Sequence, residues 1–147
     1  MIKCIIVDDE PLAIDLLADF VKKVPFLSLV DCCDNASKAI ELLNSKSPDL
    51  MFLDINMPDI SGLQLIRGLK DPPAIIITTA HSQYAVEGFD LDVDDYLLKP
   101  VPFERFLKAV NKVRDTLENR HLSPESPALE NNYLFVKTDY KMVRIIL

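Results

Sequence analysis

The sequence has little glycine, and this scarcity excludes two common ways of holding a nucleotide. Its 147 residues include only three glycines: Gly62, Gly68 and Gly88. Neither the GxGxxG motif of dinucleotide-binding folds nor the GxxxxGK motif of P-loops can be built from glycines at these positions. Any phosphate group that this chain binds must therefore be held by a different kind of site.

Basic residues are also in deficit, with 16 Lys and Arg against 23 Asp and Glu and a net charge of -7. A nucleic-acid clamp needs an excess of cations to displace counterions, so this segment is not expected to be one. The charge balance suits a domain that collects carboxylates around a cation. Cys4, Cys32 and Cys33 lack the CxxC or Cys/His spacing of a metal or redox site.

Long apolar runs are missing as well. No run approaches the roughly 20 residues that a membrane-crossing helix requires. The N-terminus shows no basic stretch followed by an apolar segment and a cleavage site. We therefore expect a cytoplasmic protein without membrane contact, and its length fits one domain plus a remnant better than two complete domains.

What the chain does contain is an alternation of apolar, strand-like segments with helical patterns. The strand-like segments are residues 2–7, 28–33, 50–53, 74–79 and 96–98. Helical spacing begins after each of them, near Pro11, at Asn35 or Ser37, near Leu63, near Gln83 (to Phe89) and at Pro102. Buried strands that alternate with helices predict an α/β, doubly wound domain with a parallel sheet.

Polar side chains follow four of the five predicted strands. Asp8 and Asp9 follow the first strand and Asp54 the third, Thr79 ends the fourth, and Lys99 follows the fifth. Ligands of such sheets bind beyond the carboxyl ends of the strands. Alone, each residue has a plainer explanation: a helix-capping acid, a strand end, a β-former or a surface lysine. Their joint placement at one edge favours a functional site.

Carboxylates that converge at one edge repel each other and require a cation. Mg²⁺ suits them, since it takes oxygen ligands and shares its shell with phosphate. The ion would offset the charge of the acids and of an incoming phosphoryl group. One carboxylate is then left to act as a nucleophile and form an acyl phosphate. Lys99 can bind one phosphoryl oxygen and the Thr79 hydroxyl another.

These motifs together resemble the receiver domains of bacterial two-component response regulators. The similarity extends over residues 1–120 and is carried by Asp8-Asp9, Leu53-Asp54-Ile55-Asn56-Met57-Pro58, Thr79-Ala80 and Tyr96-Leu97-Leu98-Lys99-Pro100. It implies a flavodoxin-like, doubly wound (βα)5 sheet with strand order 2-1-3-4-5.

The resemblance also implies a role for each acid. Asp54 is the expected phosphoacceptor for a sensor histidine kinase. Asp9, with Asp8 bound directly or through water, is expected to hold Mg²⁺ together with Asp54 and the backbone carbonyl of Asn56.

Further roles follow from the same resemblance. Thr79 and Lys99 are expected to contact the phosphate, and the peptide bond between Lys99 and Pro100 is expected to be cis. Tyr96 would be the aromatic switch that turns inward when Thr79 moves. Homodimer formation on phosphorylation is one expected readout.

The C-terminal part is predicted to be a linker, residues 121–132, followed by a β-hairpin in residues 133–147. This last segment is similar to the start of a LytTR-type DNA-binding domain, through Tyr133-Leu134-Phe135-Val136-Lys137 and Val143-Arg144-Ile145. Residues 79–85 also resemble the corresponding segment of receiver domains that are joined to a LytTR-type domain. The intact protein would then regulate transcription by binding DNA. Residues 133–147 would include little of the surface that contacts DNA.

Alternative functions remain open at this point. A phosphatase of the haloacid-dehalogenase type would need a second acid two residues after its nucleophile, where this chain has Asn56 after Asp54, and would carry its motif after the first strand. A phosphorylation-independent interaction module would not need the acids at all. The acidic run lacks the spacing of a calcium-binding EF-hand loop and is expected to be a solvated loop: Asp90, Asp92, Asp94 and Asp95.

Overall fold

The computed structural model describes residues 1–57, 60–80 and 93–122 and places a parallel sheet at their centre. Its strands are β1 (Ile2–Val7), β2 (Leu27–Cys33), β3 (Leu50–Asp54), β4 (Ala74–Thr79) and β5 (Asp95–Leu98). We number the described helices α1 (Pro11–Lys22), α2 (Ala36–Lys46), α3 (Gly62–Gly68) and α4 (Phe103–Leu122).

The strands pair in the order β2-β1-β3-β4-β5, and every pairing is parallel. The predicted fold class and strand order are therefore confirmed. The helix predicted near residues 83–89 lies outside the described residues, as do residues 123–132 of the predicted linker and the predicted hairpin. Helix α4 itself continues to Leu122.

Local sequence signals explain where the helices begin. Pro11 opens α1, where its missing N–H costs no hydrogen bond. Of the two candidates for capping α2, the structure uses Asn35, whose side chain accepts a 2.9 Å hydrogen bond from the backbone N–H of Lys38. Ser61 and Gln64 form a reciprocal capping box at the start of α3.

The sheet buries apolar side chains on both faces, because successive residues of a strand point in opposite directions. One face carries a buried cluster that includes side chains of α2 and α3 and the strand residues Ile5, Val7, Met51, Leu53, Ile75 and Ile77. An aromatic group marks the other face, with ring centroids 5.2–5.3 Å apart between Phe20 and Phe103, Phe20 and Phe106, and Phe52 and Phe106. Burial on both faces fixes the positions of the strand ends.

The chain divides into two units, Met1–Val113 and Arg114–Leu147. The first contains the whole sheet. Of the second, the structure describes residues 114–122, which are helical. No described helix has both the length and the apolarity needed to pass through a lipid bilayer.

Gly62 closes the loop that follows β3. Its backbone N–H donates a 2.7 Å hydrogen bond to the carbonyl oxygen of Ile55. A Cβ atom at this position would lie 2.6 Å from the backbone oxygen of Asp54 and 3.1 Å from the Cα of Ile55. Only glycine fits here without moving the backbone at the end of β3.

We therefore expect Gly62→Ala to lower the free energy of unfolding by about 1–3 kcal/mol, the usual cost of overpacking a tight site. Gly68→Ala is the matched control, because a Cβ there meets nothing within 4 Å. Alanine also favours the helix, so Gly68→Ala should leave stability unchanged or raise it by up to about 1 kcal/mol. Urea unfolding of both variants checks this, and equal effects of the two substitutions would contradict it.

Candidate functional site

The register of the parallel strands brings their carboxyl ends to one edge. Val7 at the end of β1 pairs with Leu53 of β3, and Thr79 at the end of β4 pairs with Leu98 of β5. The residues that follow these pairs therefore emerge side by side, although they are distant in the sequence.

Backbone hydrogen bonds continue past the strand ends and hold the first residue of each loop. They join the N–H of Asp8 to the oxygen of Cys33 (3.1 Å), Ile55 to Thr78 (3.2 Å) and Lys99 to Thr79 (2.7 Å). The loops thus leave the sheet along fixed paths, which limits where their side chains can reach.

Three carboxylates meet at this edge. Asp8, Asp9 and Asp54 each contribute an oxygen atom, and these atoms lie within 4.8 Å of one another. Asp8 and Asp54 are buried, with 1% and 3% of their surfaces exposed, whereas Asp9 is exposed. The cluster is therefore accessible to solvent at Asp9.

The cluster changes the acidity of its central member. Burial, followed by the negative charge of Asp8, raises the pKa of Asp54 from its ordinary value of 3.8 to about 7, despite the opposing charge of Lys99. The backbone N–H of Asn56 donates a 3.3 Å hydrogen bond to Asp54 Oδ1 and partly offsets this cost. An ionised Asp54 therefore requires further positive charge nearby.

Lys99 supplies part of that charge. Its Nζ atom lies 2.7 Å from Glu10 Oε1, 3.0 Å from Asp8 Oδ2 and 3.7 Å from Asp54 Oδ1. Burial disfavours its charged form, but the contacts with Glu10 and Asp8 outweigh burial and raise the pKa of Lys99. One ammonium group thus faces several carboxylates.

The donor set fits Mg²⁺. Asp8 Oδ2 is buried, and the contact that the described part of the chain gives it is the ion pair with Lys99 at 3.0 Å. An oxygen in this state can serve as a metal ligand. Clustered carboxylate oxygens that one cation cannot neutralise are what a hard divalent ion prefers.

The other predicted site residues lie on the same strands and loops. Thr79 is buried at the end of β4, and the backbone of Asn56 contacts Asp54 as described above. Tyr96 of β5 is partly buried and packs against the apolar cluster on the α2–α3 face. The predicted cis bond between Lys99 and Pro100 is confirmed.

Two features were not predicted from the sequence. The first is Glu10, which provides the shortest contact to Lys99. The second is Arg105 of α4, whose guanidinium donates hydrogen bonds of 3.1 and 2.7 Å to Asp95 and one of 3.0 Å to the carbonyl of Tyr96. The only sequence signal for Glu10 is that it directly continues the acidic run after β1.

The expected solvated acidic loop is wrong for two of its four residues, Asp94 and Asp95. Asp95 belongs to β5 and is partly buried against Arg105. Asp94 is partly buried as well, and its Oδ1 accepts a 3.0 Å hydrogen bond from the backbone N–H of Ile75. These acids hold strand ends in place. The other two lie outside the described residues.

Comparison with known proteins now assigns a family. Residues 4–111 match the response regulator receiver domain, and the chain belongs to that family. The response regulatory domain of protein mrkE from Klebsiella pneumoniae has a similar structure, with a TM-score of 0.72 and 32% identity over 80% of this chain and 98% of that one.

Curated relatives refine the comparison. The chain is 42% identical to the sensory transduction protein LytR of Staphylococcus haemolyticus over 134 residues, which cover 86% of this chain and 52% of the relative. It is also 42% identical to the transcriptional regulatory protein LytR of Staphylococcus aureus, over 78% of this chain and 48% of the relative. The chain thus spans about half the length of these relatives, and the sequence-based family assignment is confirmed.

The raised pKa of Asp54 has a consequence for stability in the absence of metal. Between pH 3.8 and about 7 the unfolded carboxyl is ionised while the folded one stays protonated, so stability falls as the pH rises through this window. Asp54→Asn removes that cost. At pH 8 with a chelator we expect this variant to be more stable than the wild type by on the order of 2 kcal/mol.

The gain should shrink as the pH falls toward 5, and denaturant unfolding at several pH values measures it. Asp34→Asn is the control, since Asp34 is exposed, lies 3.7 Å from Lys38 and accepts a 2.9 Å hydrogen bond from the Asn35 side chain that an amide oxygen can also accept. Its effect should stay within about 0.5 kcal/mol. A less stable Asp54→Asn protein at pH 8 would contradict the assigned electrostatics.

Proposed function

We propose that Asp54 accepts a phosphoryl group from a sensor histidine kinase, in the presence of Mg²⁺, and that this modification switches the output of the protein. The observation that carries the proposal is the convergence of Asp8, Asp9 and Asp54 within 4.8 Å, beside Lys99, at one edge of the sheet. Membership of the receiver family supports the same reading.

In the proposed reaction, an ionised oxygen of Asp54 attacks the phosphorus atom. A bond forms between this oxygen and phosphorus, while the bond from phosphorus to the phosphohistidine nitrogen breaks and the imidazole leaves. The product is an acyl phosphate, a known intermediate of carboxylate nucleophiles. The carboxylate is held at the end of β3, where the backbone N–H of Asn56 donates a 3.3 Å hydrogen bond to its Oδ1.

Charge is the main obstacle to this reaction, because an anionic donor must approach a group of acids. Bound Mg²⁺ supplies the positive charge that brings these anions together. Asp8, Asp9 and Asp54, with the backbone carbonyl of Asn56, are the groups that we propose to hold it. These groups lie at or just after strand ends that backbone hydrogen bonds of Asp8 and Ile55 fix, so they would hold the ion in a defined position.

Lys99 and Thr79 are proposed to receive the phosphoryl oxygens. The Lys99 ammonium is 3.7 Å from Asp54 Oδ1, so a phosphoryl group on that carboxylate would come within its reach. Thr79 ends the strand next to β3 and offers a hydroxyl donor. Movement of Thr79 toward the phosphate, with rotation of Tyr96, is the proposed conformational switch.

The proposed output is regulation of transcription by a LytTR-type DNA-binding domain in the intact protein. Two facts support it: a relative carries the name transcriptional regulatory protein LytR, and the chain spans about half the length of such relatives. Residues 123–132, which follow α4, would be the linker and residues 133–147 the start of that domain. We propose a cytoplasmic location, where both the kinase and DNA can be reached, and a homodimer as the phosphorylated form.

Intact mass measurement tests the proposed phosphorylation. After incubation with acetyl phosphate and Mg²⁺, the wild type should gain the mass of one phosphoryl group. Asp54→Asn should gain none, because the amide nitrogen cannot replace the nucleophilic oxygen, and a chelator should prevent the gain in the wild type. Asp34→Asn, which changes charge equally at an exposed position, should behave as the wild type.

The proposal would be refuted if Asp54→Asn were phosphorylated or if the wild type were not. Multiple turnover of a phosphate ester would instead revive the phosphatase alternative. Asn56 argues against that alternative, because it stands where such enzymes need a second acid.

A further inference from the structure

The position of Glu10 is unexpected for a residue outside the three-acid cluster. It follows Asp9 directly and precedes the first residue of α1, and its side chain is 62% exposed. Even so, it makes the shortest of the three contacts described above for the Lys99 ammonium, a 2.7 Å hydrogen bond between groups 89 residues apart in sequence. The hydrogen bond from Lys99 also lowers the pKa of Glu10.

The distances around Lys99 rank its partners. Its contacts with Glu10 and Asp8 are 2.7 and 3.0 Å, whereas the 3.7 Å distance to Asp54 is too long for a hydrogen bond. The ammonium therefore lies toward Glu10 and Asp8 rather than toward the proposed phosphoacceptor. A phosphoryl group on Asp54 would have to draw it away from Glu10.

The surroundings leave room for that movement. Glu10 and Lys99 both line an open groove of about 420 Å³ between α1 and the loop after β5, together with Leu12, Leu16, Pro100 and Val101. The Lys99 side chain is 17% exposed. The ion pair is thus not enclosed by packed side chains, and its two partners can separate without disturbing the core.

We propose that Glu10 is a positioning residue that holds Lys99 in the unphosphorylated state and competes with the phosphoryl group for it, so that Glu10 limits the rate and extent of Asp54 phosphorylation. This inference rests on the proposed function of Asp54 and adds a regulatory residue to the same site. Glu10 also places a negative charge where an anionic donor must approach, which acts in the same direction.

Glu10→Gln should therefore speed phosphorylation by acetyl phosphate and tighten the binding of beryllium fluoride, an analogue of the phosphoryl group. Because exposed ion pairs are weak, we expect gains of about two- to fivefold in both quantities. The gain in rate should shrink at high salt, which screens exposed charges. Resistance to digestion by trypsin and thermal stability should both be unchanged, since Glu10 is not part of the core.

Two further variants distinguish the effect of the contact between Glu10 and Lys99 from the effect of the negative charge of Glu10. Glu10→Asp keeps the charge but is one methylene shorter, so it loses the 2.7 Å contact and should show part of the gain. Asp15→Asn removes one exposed charge from α1 and should leave both quantities within about 1.5-fold of the wild type. Phosphorylation is followed by intact mass against time, and beryllium fluoride binding by titration at fixed Mg²⁺.

The outcomes distinguish this inference from the proposed function. If the wild type takes up no phosphate, the proposed function itself fails. If the wild type is phosphorylated but Glu10→Gln is equal or slower, only the role of Glu10 is refuted. If Asp15→Asn raises the phosphorylation rate as much as Glu10→Gln does, or if Glu10→Asp does not raise it, the effect of Glu10 is one of charge and not of its contact with Lys99. Either result would also overturn the proposed competition.

Discussion

The structure depends on one electrostatic constraint: buried carboxylates are held together at the edge of a sheet where water cannot fully solvate them. The strands are buried on both faces, so the positions of Asp8 and Asp54 are fixed by packing and not by their own interactions. Burial and mutual repulsion make the ionised state of Asp54 costly. The apolar core thus supplies the free energy that holds these carboxyl groups together despite that cost.

A single ammonium group cannot neutralise this arrangement. Lys99 is shared among carboxylates from two loops, which leaves the cluster with excess negative charge. The proposed binding of a divalent cation, and of a phosphoryl group bound to that cation, would relieve this imbalance. The same imbalance underlies the proposed exchange of partners by Lys99 on phosphorylation.

Much of this could be predicted from the sequence. The alternation of apolar runs with helical patterns gives the sheet, and the polar residues that end those runs give the site, since parallel strands place their carboxyl ends together. Side-chain direction is what the sequence does not contain. Glu10 was missed because its contact with Lys99 depends on the path of the chain into α1, and Asp95 was misjudged because Arg105 lies ten residues further along.

The tie between Gly62 and Ile55 has a consequence for how this protein can vary. The loop after β3 runs from Ile55 to Gly62, and its ends are fixed by a 2.7 Å hydrogen bond between these two backbones and by close packing at Gly62. Lengthening such a loop between its ends costs only closure entropy, which grows slowly with length. Insertions in related proteins should therefore be tolerated between Asn56 and Ser61, while Gly62 at the end of the loop accepts almost no change.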